Sequence, residues 1–257
     1  MSGLYSSHPN NVDYLLKKNR LQIKDIRYIL SIIEPEKRKR YDYDNIDRIY
    51  LEYSSSKYDD KDNLQRLKET TYNKPVVIVV FGATSRDYSD SIVQFIMEND
   101  PVTISVNHIY SAYLPDFVFY GNQRRYINNL HNDTKVRRII TSNISSHDGN
   151  DIVVDYSKVI SLGCANYDNT SIMLLNLLRN IGVKNIAIAG LDGYSGELYQ
   201  TFSDEIYSHD SQQQYENNYE IWNEELKLLL RNYANSISDK HSVRFLTPSR
   251  FQTIFED

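Results

Sequence analysis

The sequence predicts an α/β protein: a doubly wound, mostly parallel sheet with an N-terminal helical appendage. Three observations lead there. Val76 to Phe81 reads V-V-I-V-V-F, an unbroken apolar run of the kind found in strands covered on both faces. The run stops at the small turn Gly82-Ala83-Thr84-Ser85, after which Ile92, Val93, Phe95 and Ile96 show helical spacing. From there strand-like and helix-like stretches alternate nearly to the end of the chain, the pattern of a sheet with helical crossovers.

Residues 1–72 differ from the rest of the chain. Val12 to Leu16 and Ile23 to Ile33 have three-to-four spacing and predict two helices, and Asn45 to Tyr53 predicts a third. Lys37 to Arg40 is a basic cluster among Glu34, Glu36, Asp42 and Asp44, and reads as a solvated turn. Ser54 to Lys74 is polar and reads as a link or strap. Three short helices with few large anchors cannot bury enough area to fold alone, so 1–72 is expected to pack on the α/β domain or on a partner.

Residues 73–257 form the sheet domain in this reading. Strands are predicted at Val76–Phe81, Val102–Val106, Phe117–Tyr120, Val136–Thr141, Asp151–Asp155, Asn185–Ala189 and Val243–Leu246. Helices are predicted at Ser89–Glu98 after Asp/Ser caps, at Asn122–Leu130, at Asp168–Ile181 ended by Gly182, and at Tyr215–Ile237.

Composition narrows the function classes. The chain has 257 residues, 25% charged and 40% hydrophobic, with a formal charge of −5, which gives no general pull toward nucleic acid or anionic membranes. No apolar run approaches the roughly 20 residues of a membrane span, and no secretory leader is visible. The single cysteine, Cys164, excludes an internal disulfide framework and a cysteine-rich zinc site. These features point to the cytoplasm.

Candidate chemistry gathers at the predicted strand ends. A strand, a small turn and a helix start is where α/β folds hold phosphate-bearing ligands, which makes Gly82, Ala83, Thr84 and Ser85 candidate ligand contacts through their backbone N–H groups. The alternative is an ordinary strand-to-helix turn. The chain has only 9 glycines, and Gly190, Gly193 and Gly196 fall in one stretch after a strand, suggesting positive φ or close backbone approach. Asp192 in that stretch is a candidate catalytic carboxylate, with turn capping as the alternative. Asn107 and Asn122 offer both donors and an acceptor for a base or ribose. Arg124 and Arg125 can meet phosphate, or simply begin a solvated helix. His108 follows a strand, and His209 lies in an acidic loop where it can serve as general base. The other histidines have no metal-site spacing. The P-loop, the G-x-S-x-G elbow and the dinucleotide G-x-G-x-x-G are all missing. Asp192, Asp116 and Asp87 are candidates for Mg²⁺ with a diphosphate, though the sequence does not bring them together.

The order of these pieces resembles a known group. The turn Gly82 to Ser85, Asn107 after the second strand, P-D-x-x-F-x-x-N-x-x-R-Y (Pro115, Asp116, Asn122, Arg125, Tyr126), N-T-S before a helix (Asn169, Thr170, Ser171) and Gly190 with Asp192 carry the likeness. It is similar to the Rossmann-like domain shared by bacterial sialyltransferases of surface glycans, flagellin-glycosylating motility-associated factors and archaeal 6-hydroxymethylpterin diphosphokinases. It covers roughly residues 75 to 200. The sialyltransferases carry G-x-G-P-S at the first turn; aligned on Ser85, this chain has Phe81, Ala83 and Thr84 in place of Gly, Gly and Pro. The resemblance implies a nucleotide or nucleotide-sugar ligand such as a CMP-sugar, with Thr170, Ser171 and Gly190 among its contacts and His209 as the base. The diphosphokinase branch implies ATP and Mg²⁺. The segment from Ser2 through Tyr53 resembles the stretch after the TIM barrel in 4-hydroxy-2-oxovalerate aldolase-like proteins of surface-polysaccharide gene clusters, and implies an aldolase-like partner.

Three functions are therefore expected. The first is a glycosyltransferase-like domain for capsule or lipopolysaccharide synthesis. The second is a non-catalytic partner of an aldolase-like enzyme, and the third is a Mg-dependent diphosphokinase.

Overall fold

The computed structural model describes residues 57–129, 136–144, 149–161, 164, 167–194 and 219–256. The predicted helices before residue 57 lie outside them. Among the described residues seven strands form one sheet: β1 (Val76–Val79), β2 (Val102–Val106), β3 (Phe117–Tyr120), β4 (Arg137–Thr141), β5 (Ile152–Val154), β6 (Asn185–Ala189) and β7 (Ser242–Phe245). Their spatial order is β5-β4-β3-β2-β1-β6-β7, and every neighbouring pair is parallel. This is a Rossmann-like α/β fold. The chain starts at the middle, builds outward through β5, then returns to place β6 on the free side of β1.

Parallel neighbours need crossovers, and right-handed crossovers put the two halves' helices on opposite faces. On one face lie α2 (Ala83–Asp87), α3 (Ser89–Asn99) and α4 (Gln123–Asn129). Ile92 and Ile96 of α3 pack there with Val77, Val79, Ala187 and Ala189. The other face carries α1 (Lys61–Thr71), α5 (Thr170–Asn180) and α6 (Tyr219–Ser236). There Leu67, Ile172, Leu175, Leu226 and Leu230 meet the alternate strand residues Val76, Ile78, Phe117, Phe119 and Ile186. The period-2 split of β1 between these two clusters is what an apolar run buried on both faces requires.

Two local expectations need correction. The strap expected over 54–74 contains α1, an 11-residue helix. Its middle, Leu64 to Glu69, is made of good helix formers, but it has only two apolar anchors, Leu64 and Leu67, so the hydrophobic signal is narrow. It is held by Asn63 Nδ2, which donates to Val153 O at 2.9 Å, and by Asp60, buried at its start. Asp60 accepts from Asp155 N at 2.9 Å and from Lys158 Nζ. The described part of 1–72 is thus packed on the sheet at β5. The second correction concerns the turn after β1. It is already helical from Ala83, and α3 follows through Tyr88 without the expected side-chain cap.

The helix predicted from Asp168 begins at Thr170, while its end at Gly182 is as expected. Asn169 Oδ1 caps α5 by accepting from Ser171 N and Ile172 N at 3.1 and 3.3 Å. Gly182, at φ +85°, closes the helix, with its N–H donating to Arg179 O and that of Val183 to Leu178 O. Among the described residues no helix is long and apolar enough to cross a membrane.

Candidate functional site

Because all strands run the same way, the predicted polar ends share one edge. The topology reverses between β1 and β6, and in open α/β sheets the crevice outside the carboxyl ends at such a switch point is the usual ligand site. Two turns meet there. The Gly82 N–H donates to Gly190 O at 2.9 Å. A Cβ on Gly82 would lie 2.4 Å from that oxygen, and one on Gly190, at φ +74°, would lie 1.9 Å from Val80 O. The close approach expected from the clustered glycines is therefore between two backbones.

Asp192 binds this junction together. Its carboxylate accepts from Thr84 N at 2.9 Å and from the Thr84 hydroxyl. The hydroxyls of Thr84 and Thr247 are 2.9 Å apart, and Thr247 Oγ1 accepts from Gly190 N at 2.9 Å. Hydroxyls in such a chain polarise one another. Asp192 is half-buried and supplies the acceptor that the first turn of α2 lacks. Ser85 is buried, donates from Oγ to Gly82 O at 2.8 Å, and its N–H donates to the same oxygen. Ala83 is buried as well. Three of the turn's backbone donors, on Gly82, Thr84 and Ser85, thus serve the fold itself.

The loop after β6 is clamped by residues that drew no notice in the sequence. Asn223 of α6 is buried, accepts from Tyr194 N and donates to Tyr194 O, both at 2.8 Å. Ser249 Oγ donates to Leu191 O at 2.6 Å. Nothing in the periodicity of α6 marks Asn223. Thr247 carried a fainter signal, as a hydroxyl just beyond the last predicted strand.

Toward β3 the edge offers other polar groups. Asn107 ends β2 at φ +65°, a conformation uncommon outside glycine. Its carbonyl accepts from Asn129 Nδ2 at 3.1 Å, while its own Oδ1 is buried without a hydrogen-bond partner among the described residues. His108 lies 5.0 Å from the Phe81 ring, and Tyr110, whose hydroxyl is pushed up mainly by burial, donates to Ser85 O at 3.0 Å. Asn122 is exposed and accepts from Arg125 N at 3.3 Å as the start of α4; Arg125 is half-buried. Thr170, half-buried at the first turn of α5, sits where a Cβ on Gly121 would touch it at 3.4 Å. Ser171 is buried.

Some predicted residues lie elsewhere. Tyr126 is buried and donates to Asp151 Oδ2 at 2.6 Å, and Arg138 Nε donates to Asp151 Oδ1 at 2.6 Å. Asp116 precedes β3, at the opposite edge from Asp192, and accepts from Thr103 N and Oγ1 at 2.8 and 2.9 Å. The two cannot share one Mg²⁺ with Asp87, which pairs with Arg86 at 3.0 Å. Among the described residues no three His, Cys, Asp or Glu side chains are grouped to hold a metal. His209, Gly196 and the side chain of Arg124 lie outside the described residues.

The chain matches no protein-family model, no curated protein and no solved structure.

Proposed function

We propose that the carboxyl edge between β6 and β3 binds a nucleotide or nucleotide-sugar and that the domain is a glycosyltransferase-like enzyme of surface-polysaccharide synthesis. The observation that carries this reading is Asn107. It combines a left-handed backbone with a buried amide oxygen that has no partner among the described residues, one strand from the switch point. Backbone conformations of this kind and unmet polar atoms gather where a ligand completes the structure. Asn122, Arg125 and Thr170 border the same edge. In the transfer, the acceptor hydroxyl oxygen bonds to the anomeric carbon as the sugar–phosphate C–O bond breaks. The nucleotide phosphate leaves with the bonding electrons, and the acceptor proton passes to a base, for which His209 is the candidate. A carboxylate has about four acceptor positions. The two bonds from Thr84 leave Asp192 able to orient a sugar hydroxyl. A cytoplasmic setting and an aldolase-like partner go with this reading.

One observation favours a second reading, a non-catalytic partner domain. The donors that would hold a phosphate at the first turn are already engaged, one of them by Asp192. Thermal-shift measurements with CMP, CDP, UDP, GDP, ATP and pterins, with and without Mg²⁺, separate the readings. A ligand at 100 times its Kd adds about 2.7 kcal/mol, a midpoint rise of roughly 5–10 °C for a chain of this size. The transferase reading expects a rise with a CMP-type nucleotide that is lost in Asn107→Ala. A Mg²⁺-dependent rise with ATP alone selects the diphosphokinase. No rise with any compound leaves the non-catalytic reading.

A further inference from the structure

The opposite edge of the sheet carries a feature that the carboxyl-edge reading does not use. A cavity of about 410 Å³ opens between the end of α1, the entry to β1, the end of α5 and the entry to β6. That volume is in the range of small-molecule sites. Its lining includes Lys68, Lys74, Arg179 and Lys184, with the amides of Asn73 and Asn180 and, among the described residues, no acidic side chain. On a chain of net charge −5 this is a marked local reversal of sign.

The plain explanation is that Lys68 and Arg179 sit in the last turns of α1 and α5, where cations complement the helix dipole. The magnitudes do not support that as a full account. Each helix terminus is worth about half a negative charge, Asp100, 2.8 Å from Lys74, supplies one more, and Asp116 also acts on Lys74. Against four cations this leaves about one to two positive charges uncompensated. Lys68, Arg179 and Lys184 have no carboxylate within ion-pair distance among the described residues. Arg179 is also held in place: its guanidinium donates to Ser236 Oγ and lies 6.0 Å from the Tyr233 ring centroid. Gly182 leaves open space on the same wall, since a Cβ there would meet nothing within 4 Å.

We propose that this amino-edge cavity binds a small phosphate-bearing molecule of two or more negative charges, held by Lys68, Arg179 and Lys184. Three cations without a carboxylate partner among the described residues, set around one concavity, suit an anion of more than one charge, and the neighbouring amides can donate to its oxygens. The site is separate from the carboxyl edge and does not depend on what binds there.

The test is a titration of sodium pyrophosphate into the full-length ¹⁵N-labelled protein in low-salt buffer. Saturable shifts of the Gly182 and Lys184 amides are expected, weakening as sodium chloride is raised. The variant Lys68→Gln/Lys184→Gln should weaken binding about tenfold or more with an unchanged melting midpoint, since both side chains are exposed. Lys184→Gln alone should weaken it by a smaller factor. Absence of saturation in the wild-type protein overturns the proposal. So does wild-type affinity in the double variant, or shifts confined to the Thr84 and Gly190 amides at the other edge.

Discussion

Asp192, just beyond β6, accepts hydrogen bonds from both the backbone N–H and the hydroxyl of Thr84, in the first turn of α2. A residue 108 positions away therefore does the work of a helix cap. Losing a cap costs about 0.5–2 kcal/mol, and charged hydrogen bonds are worth about 1.5–3 kcal/mol. Asp192→Ala should lower stability in urea by about 2 kcal/mol. A double-mutant cycle with Thr84→Val should show coupling of about 1 kcal/mol or more. Simple additivity of the two substitutions would show that the pair is not energetically coupled.

Gly190 and Gly182 both have positive φ, yet they should respond differently to alanine. A Cβ on Gly190 would lie 1.9 Å from Val80 O and 2.7 Å from the Ser85 Cβ, whereas one on Gly182 meets open space. Gly182→Ala carries only the left-handed strain, about 1–2 kcal/mol. Gly190→Ala adds an overpacking cost of about 1–3 kcal/mol, so it should melt markedly lower. Equal midpoints would contradict the backbone-to-backbone contact. Gly82→Val is obstructed in turn by Gly190 O at 2.4 Å and the Asp192 carboxylate at 2.5 Å, so it should disrupt the junction as well.

Tyr233 gives a pH prediction. It is buried, its hydroxyl has no partner among the described residues, and burial pushes its pKa up to about 12. The unfolded side chain loses its proton near pH 10. Between those values the unfolded chain holds fewer protons than the folded one, so stability is full below pH 10 and falls as pH rises. Tyr233→Phe should be neutral or stabilising at pH 7, because it removes a buried hydroxyl left unsatisfied. It should also reduce the loss of stability between pH 10 and 12. A large destabilisation at pH 7 would mean that the hydroxyl has a partner.

Asp60 anchors α1 through Asp155 N and Lys158 Nζ, and it is 1% exposed. Lys158 is half-exposed, so solvent weakens the ionic part, and the buried acceptor matters more. Asp60→Ala leaves the Asp155 N–H without its acceptor and should cost about 2 kcal/mol. Amide hydrogen exchange should rise first along α1. Unchanged protection there would show that Leu64, Leu67 and Asn63 secure the helix without Asp60.

The sheet was legible because its strands are buried on both faces, so V-V-I-V and N-I-A-I-A stand out as apolar runs whatever surrounds them. Gly182 was legible as a helix end because capping is local, whereas the expected start at Asp168 fell one residue before the Asn169 cap. What local pattern could not supply was pairing at distance. Asp192 and Gly190 were visible as unusual residues, but their partners, Thr84, Thr247 and Val80, are fixed only once β6 lies beside β1. Helix α1 was missed for the opposite reason. It needs only Leu64 and Leu67 because the buried Asp60 carboxylate and Asn63 hold the rest.

The strand order also governs how the chain assembles. Strands β1 to β5 can pair with near neighbours as they are made, but β1 keeps an open edge until residues 185–189 arrive. That edge is V-V-I-V, uncharged and without proline, the composition most prone to pairing with another molecule. Contacts spanning 108 and 163 residues close the junction, so it forms late and slowly. A truncation that removes β6 would expose this template, and the expected product is aggregate, not a smaller folded domain.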